Sequence, residues 1–365
     1  MRPSWVEVDL QAIKDNVSAI VDLVAPARFC AVVKANAYGH GDVPVAKAAL
    51  EAGANMLAVA TVEEGARLRE ADITQPILLL AQPPLEDIND VLHWKLSPTI
   101  YHPLFLESFL AAIDEQLPRV HIKFDSGMHR LGTDGATVQR LAAAIARSPK
   151  AELGGIWSHF ADADSDPEFT NQQLDLFNGF VSTARDTGLK VPLVHIANSA
   201  AALLLPRSRQ DMVRIGLAMY GLHPAPRTPL PVKLRPAMAV KSQVVHVRRL
   251  PAGARPSYGR IRELESTSNV ATVPIGYADG VTRRLATVKG AALIGGKRRP
   301  FAGRVTMDYV VLDMGPDPVE IGDEVVLLGT QGDGLVPAQQ WAEWLDTISY
   351  EVVCGFGERL PRKYV

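Results

Sequence analysis

The sequence predicts an α/β chain: a (β/α)8 barrel of the TIM type followed by a C-terminal, mostly antiparallel β domain. Between residues 28 and 220, eight short apolar runs alternate with amphipathic segments, the pattern of a parallel sheet wrapped by helices. Near Pro236 the texture changes to strand-like runs separated by Gly and Pro turns. The polar residues of unusual context fall at or near the carboxyl ends of the barrel runs, which in a barrel form one rim. A doubly wound open sheet is the competing reading, and it would scatter some of those residues.

In chain order, the expected barrel strands are Arg28–Val33, Met56–Ala60, Ile77–Leu80, Ser97–Tyr101, Val120–Phe124, Leu153–Trp157, Leu193–Ile196 and Met212–Ile215. They are short and several are rich in Val, Ile or Leu, as strands buried on both faces should be. Helical patterns lie between them at Val43–Glu51, Val62–Glu70, Leu104–Ile113, Gly135–Arg147 and Phe169–Arg185. Pro44 near the start and Gly53 beyond the end of the first give it the expected asymmetry. After a hinge at Pro231–Pro236, strands are expected at Met238–Val247, Val270–Ile275, Ala291–Ile294, Tyr309–Met314 and Val325–Leu328, with one helix at Ala338–Leu345. The domain division is therefore 10–232 for the barrel, with 1–9 and 233–365 forming the β domain.

The 365 residues carry 38 Lys+Arg against 40 Asp+Glu, a net charge of −2 with no block of one sign, which argues against nucleic acid or an anionic membrane as partner. The runs Lys297-Arg298-Arg299 and Arg248-Arg249 read as solvated faces of hairpins. Two cysteines, Cys30 and Cys354, suit a reducing compartment. The N-terminus shows no export signal, and no apolar run approaches the roughly 20 residues that span a bilayer. The expectation is a cytoplasmic protein, with no metal site.

On the barrel map, Lys34 follows the first strand, Asp125 to Arg130 the fifth, Ser158-His159 the sixth, Ala197-Asn198-Ser199 the seventh and Gly216-Leu217 the eighth, with Arg214 inside that eighth strand. Each has a plain alternative. A lone lysine is usually a solvated surface residue, and a lone histidine such as His159 is more often structural than catalytic. Asn198-Ser199 can simply cap a helix. Yet a surface lysine seldom ends an apolar run such as A-V-V, and at this place it can form a Schiff base with a carbonyl. Arg214, between Val213 and Ile215, needs a partner because unpaired buried charge is expensive. The loops after strands seven and eight are where barrels often bind phosphate. A lysine for a carbonyl beside a phosphate cradle suggests pyridoxal phosphate.

The stretch A-V-V-K-A-N-A-Y-G-H-G, with K-F-D-S-G-M-H-R-L-G, H-I-A-N-S-A-A, V-R-I-G-L-A-M-Y-G, P-S-Y-G, P-I-G-Y-A-D-G, V-T-M-D and I-S-Y-E-V in that order, resembles the bacterial alanine racemase family over essentially the whole chain. The resemblance implies that Lys34 holds pyridoxal phosphate. Tyr38, Asn198, Ser199, the Gly216-Leu217 backbone and Tyr350 would serve its phosphate, with Arg214 at the pyridine nitrogen and His159 and His195 in the surrounding network. It makes Tyr258 the second catalytic base and gives the substrate carboxylate to Arg130 and the Met307 N–H. Lys123 would hold Arg130, in relatives often as a carbamate, and Tyr277, Asp164, Arg283 and Arg304 would line the entrance. It also implies a head-to-tail homodimer, with Tyr258, Tyr277 and Met307 reaching the partner's barrel. Three departures stand out: His129 where glycine is frequent, Ile215 where proline often follows the arginine, and Tyr309 where a polar residue is common.

Racemisation removes the α-proton from one face and returns one to the other, so two bases, Lys34 and Tyr258, suffice without moving the substrate. A phenol needs its pKa of about 10 lowered for this, and Arg214 acting through His159 is a source of that bias. A decarboxylase of the same plan would carry a carboxylate in place of Arg214. A binding-only carrier of the cofactor would usually consist of the barrel alone, and a Schiff-base aldolase has no use for Arg214. The small tyrosine-rich site favours alanine first and serine second, with supply of D-alanine for peptidoglycan or its catabolism as the role.

Overall fold

The computed structural model describes residues 2–114 and 117–365. Its chain forms two compact units, one of Ile13–Ala37 with Asp42–Arg235, the other of Met1–Ala12, Tyr38–Gly41 and Pro236–Val365. After β1 (Ser4–Val8), which belongs to the second of these, come β2 (Arg28–Val32), β3 (Met56–Val59), β4 (Ile77–Leu79), β5 (Thr99–Ile100), β6 (Arg119–Lys123), β7 (Glu152–Trp157), β8 (Val194–His195) and β9 (Met212–Ile215).

These eight strands pair in parallel as two four-stranded arcs, β4-β3-β2-β9 and β5-β6-β7-β8. One seam closes through the parallel bridge of Leu78 with Ser97, the other through Asp211 N to Val194 O at 3.1 Å and Arg214 N to Ala197 O at 3.0 Å. Every strand thus neighbours the next in sequence and the last meets the first, which an open doubly wound sheet cannot do. The strands are buried on both faces, and Ala31, Leu57, Leu78, Ile100, Ile122, Ile156 and Ile215 are 0% exposed. Helix positions follow the apolar stripe closely: Val62–Glu70 and Gly135–Arg147 occupy the expected residues, and Asp134 caps the second through Thr137 N at 2.9 Å.

In the other unit follow β10 (Met238–Gln243), β11 (His246–Leu250), β12 (Ser268–Val273), β13 (Ala291–Ile294), β14 (Lys297–Pro300), β15 (Val310–Gly315), β16 (Glu324–Gln331), β17 (Gly334–Val336) and β18 (Arg362–Tyr364). One sheet runs β14-β13-β16-β10-β1-β18 with β17 on β16, the other β11-β12-β15. The run Met238–Val247, read as one strand, is two. Val244 N bonds Asp323 O and Val245 N bonds Thr272 O, each at 2.9 Å, so the chain changes sheets between them. The basic run Lys297–Arg299 is the outer strand of a hairpin whose turn, Gly295-Gly296, has φ of 60° and 74° at its two residues, a conformation natural to glycine. Among the described residues no helix is long and apolar enough to cross a membrane.

Candidate active site

Lys34 leaves the end of β2 and opens a turn of the wrong hand. Ala35, Asn36 and Ala37 have φ/ψ of 52/50°, 53/47° and 51/51°, and the same sense continues into Tyr38 (φ 53°) and Gly39 (φ 80°). A left-handed helical residue other than glycine costs roughly 1–2 kcal/mol, and only surroundings that over-determine the turn sustain it. They do so through Glu64, whose Oε1 accepts from Ala35 N at 2.7 Å while Oε2 accepts from Ala60 N at 2.7 Å and Thr61 N at 3.3 Å. Asn36 Oδ1 accepts from Asp42 N at 3.0 Å. Glu64 is also the third residue of the helix that Thr61 caps. The T-V-E-E capping box was a readable signal for that helix, but nothing local says that its carboxylate also holds the lysine's turn.

Arg214, in β9, is 3% exposed. Its Nη1 donates to His195 Nδ1 at 3.0 Å, and its Nη2 hydrogens are shared among His159 Nδ1 (3.0 Å), Ser158 O (2.9 Å) and Ile196 O (3.1 Å). A guanidinium only donates, so both imidazoles accept at Nδ1 and carry their proton on Nε2. His195 Nε2–H then donates to His121 Nδ1 at 3.2 Å. Burial first, and the Arg214 charge second, hold His159 and His195 well below the usual histidine range and bring His121 to about 4. Burial also draws Arg214 down to about 10, which leaves it a cation at neutral pH. Trp157, which sequence reasoning passed over, backs the cluster: the guanidinium carbon lies 4.5 Å and Lys123 Nζ 4.3 Å from its ring centroid.

Around this arginine the positive charges outnumber the negative. Lys123 is drawn down to about 7 by burial first and then by Arg214 and Arg130, with Asp125 opposing and Lys34 adding to the effect. Asp125 caps its own loop, Oδ1 accepting from Gly127, Met128 and His129 N at 3.0–3.1 Å while Oδ2 meets His129 Nδ1 at 3.1 Å. His129 has φ 56°, which explains why glycine is frequent there and how this histidine is tolerated: the Asp125 cage holds both its backbone and its ring. Arg130 follows on the surface of that loop.

Ser199 begins the helix Ser199–Leu204, and Asn198 caps it through Ala201 N at 3.0 Å. The Ser199 hydroxyl, 3% exposed, accepts from Gly216 N at 3.1 Å and Ala218 N at 3.3 Å, gathering the amides of the loop after β9. An amine at one strand end, an amide-lined turn at another and a buried guanidinium in β9 suit a group that carries a carbonyl, a phosphate and a ring nitrogen. The residues present therefore fit pyridoxal phosphate. Asp164 is exposed on the loop after β7.

The remaining expected residues gather in the other unit. Tyr38 and Tyr350 lie with ring centroids 5.8 Å apart, and burial, then the neighbouring Tyr350 and Cys354, raise the Tyr38 phenol well above its ordinary value. Tyr258, Tyr277, Arg283 and Met307 line an open cavity of about 580 Å³ together with Tyr309. Tyr258 is 72% exposed. The Thr306–Tyr309 turn that carries Met307 is tied to the Tyr277 turn by Tyr277 N to Thr306 O (2.9 Å) and Ala278 N to Met307 O (3.1 Å). Asp308 in that turn meets Arg359 Nη2 at 2.6 Å, and Arg359 Nε lies 3.3 Å from the fully buried Asp279. Arg304 is half-buried, and its carbonyl accepts from the Ser257 hydroxyl next to Tyr258.

Compared with known proteins, residues 8–224 match the family described as alanine racemase, N-terminal domain, and residues 237–364 the one described as alanine racemase, C-terminal domain. Curated relatives named alanine racemase include that of Nostoc sp., 44% identical over 98% of this chain and 95% of its own length. The one from Symbiobacterium thermophilum is 43% identical over 100% and 97%. Among solved structures, the alanine racemase of Bacillus anthracis with bound L-Ala-P superposes with a TM-score of 0.94 at 39% identity, covering 100% of this chain and 95% of that one. That of E. faecalis gives 0.95 at 36% identity, covering 100% and 98%.

Proposed function

The chain belongs to the alanine racemase family, and on that premise we propose that it interconverts L- and D-alanine, with Lys34 and Tyr258 exchanging the α-proton from opposite faces. The family depends on pyridoxal phosphate, which when bound supplies the electron sink that acidifies the α-hydrogen. Lys34 would hold that group through its amine and would serve as the base on one face. Tyr258 gives or takes the proton on the other. Ser199 and the amides of Gly216 and Leu217 receive the phosphate, with Asn198 fixing their helix and Tyr38 and Tyr350 adding hydroxyls. Arg130 and the Met307 N–H orient the substrate carboxylate.

The observation that carries the reading is the bonding of Arg214. Among the described residues its hydrogen bonds engage Nη2 and one hydrogen of Nη1, so Nε–H and the second Nη1–H are the donors left for a ring nitrogen. A donor-only group requires an acceptor, so that nitrogen stays unprotonated. A group held in this way would be a weaker electron sink, suited to proton exchange rather than to decarboxylation or transamination. Chiral chromatography of L-alanine incubated with the holoenzyme should show D-alanine; carbon dioxide in its place would make the protein a decarboxylase.

The finer assembly is also a proposal. A head-to-tail homodimer would bring Tyr258, Tyr277 and Met307 of one copy to the barrel of the other, consistent with three apolar or aromatic side chains left 43–72% exposed. Tyr277, Asp164, Arg283 and Arg304 would then line the way in. Mixing Lys34→Ala with Tyr258→Phe protein should restore activity in hybrid dimers, and no recovery after subunit exchange counts against shared sites.

A further inference from the structure

The turn that presents Tyr258 is itself strained. Ser257 has φ 67° and ψ −177°, a region essentially reserved for glycine. Gly259 (φ 69°) and Arg260 (φ 47°) follow with the same sign. Tyr258 is 72% exposed, so its direction comes from the backbone beneath it and not from packing of the ring. That backbone is tied to the neighbouring segment by the Ser257 hydroxyl, which donates to Arg304 O at 2.7 Å. The acceptor is rigid, because Ala302 N bonds Val311 O at 2.8 Å before it and Thr306 N bonds Tyr309 O at 2.9 Å after it. The approach is also too close for larger residues. A Cβ on Gly303 would lie 2.2 Å from Pro256 O, and one on Gly259 would lie 2.8 Å from Arg304 Nε.

We propose that Ser257 is a positioning residue for proton transfer: its bond to the Arg304 carbonyl holds the strained turn that aims the Tyr258 hydroxyl. The same rigid segment runs on into the Met307 turn, so one bond sets the phenol against the amide offered to the substrate carboxylate. The inference rests on Tyr258 being the second base, and the test separates the two.

The measurement is incorporation of deuterium at the α-carbon of each alanine enantiomer in D2O by the holoenzyme. Tyr258→Phe defines the face: the enantiomer whose exchange it abolishes is the one Tyr258 serves. Ser257→Gly is the informative variant, since glycine accepts this φ without strain and removes the CH2OH group that makes the bond. A displacement near 1 Å costs on the order of 100-fold, so Ser257→Gly should slow exchange at that enantiomer by about 10- to 100-fold and leave the other within about twofold. Ser257→Ala, which keeps the Cβ and lacks only the hydroxyl, should show the same one-sided loss. Equal loss at both enantiomers, or unchanged exchange at both, overturns the role of Ser257 while leaving that of Tyr258 intact. A Tyr258→Phe enzyme that still exchanges both removes the base assignment and the inference with it.

Discussion

Replacing Glu64 by alanine tests whether one carboxylate holds the left-handed turn after Lys34. The substitution removes three hydrogen bonds, those from Ala35, Ala60 and Thr61 N. Each is charge-assisted but partly accessible to water, so a net value of about 1 kcal/mol apiece is reasonable, giving roughly 3 kcal/mol in all. For a unit of this size, that corresponds to a fall in Tm of about 6–12 °C. Thr61→Ala removes the cap bond from Glu64 N at 3.3 Å and the hydroxyl's bond to the exposed Glu63 carboxylate and should cost about 1 kcal/mol, or about 2–4 °C. Ala35→Gly separates the two effects. Its methyl is exposed, so the change relieves about 1–2 kcal/mol of left-handed strain against about 0.4–1 kcal/mol of added unfolded-state entropy. In the Glu64→Ala background it should therefore return a few tenths to about 1 kcal/mol. Thermal unfolding of the four proteins decides the matter. A Glu64→Ala loss no larger than that of Thr61→Ala would refute the idea that Glu64 fixes the lysine's turn.

Nitrogen-15 NMR of His159 and His195 should show Nε2–H tautomers that stay neutral from about pH 5 to 8, since both lie well below the ordinary range; an Nδ1–H signal for either contradicts the Arg214 bonding. Lys123, brought to about 7 in the fold, binds fewer protons than the unfolded chain between about pH 7 and 10.4. Relative to Lys123→Met, stability should therefore rise with pH through that window and be flat below it. The neutral amine should also take up carbon dioxide, seen as a carbamate signal with 13C-bicarbonate that Lys123→Arg lacks. Gly276→Ala would put a methyl 2.3 Å from Thr306 O and Met307 O, costing about 3 kcal/mol and raising KM by shifting the Met307 turn; an unchanged Tm and KM would show that the two turns are independent.

Much of this was legible because the barrel writes its period into the chain. Met212–Ile215 and Gly135–Arg147 occupy the residues read from pattern alone, since strands buried on both faces and helices with one buried stripe leave unmistakable spacing. The misses share a cause. β1 and β18 are short strands that pair in parallel across more than 350 residues, and no local pattern announces so distant a partner. The split of Met238–Val247 into β10 and β11 likewise depends on Asp323 and Thr272, far away in the chain. In the site, Trp157 and His121 looked like ordinary strand residues, and Ala-Asn-Ala has no composition that predicts a left-handed turn.

The sequence by itself determined which chemistry was available. An amine ends one strand, a guanidinium sits inside another and a tyrosine lies in a Gly-flanked turn, and these types were readable because they are improbable where they stand. Only the tertiary structure decided how those groups are tuned. The His195 and His159 tautomers, the near-neutral Lys123, the left-handed turn at Ala35–Ala37 and the lock on Ser257 all arise from atoms brought together by closure of the barrel or by sheet pairing. Burial and electrostatic shifts depend on distance in space, and distance in sequence carries almost none of that information.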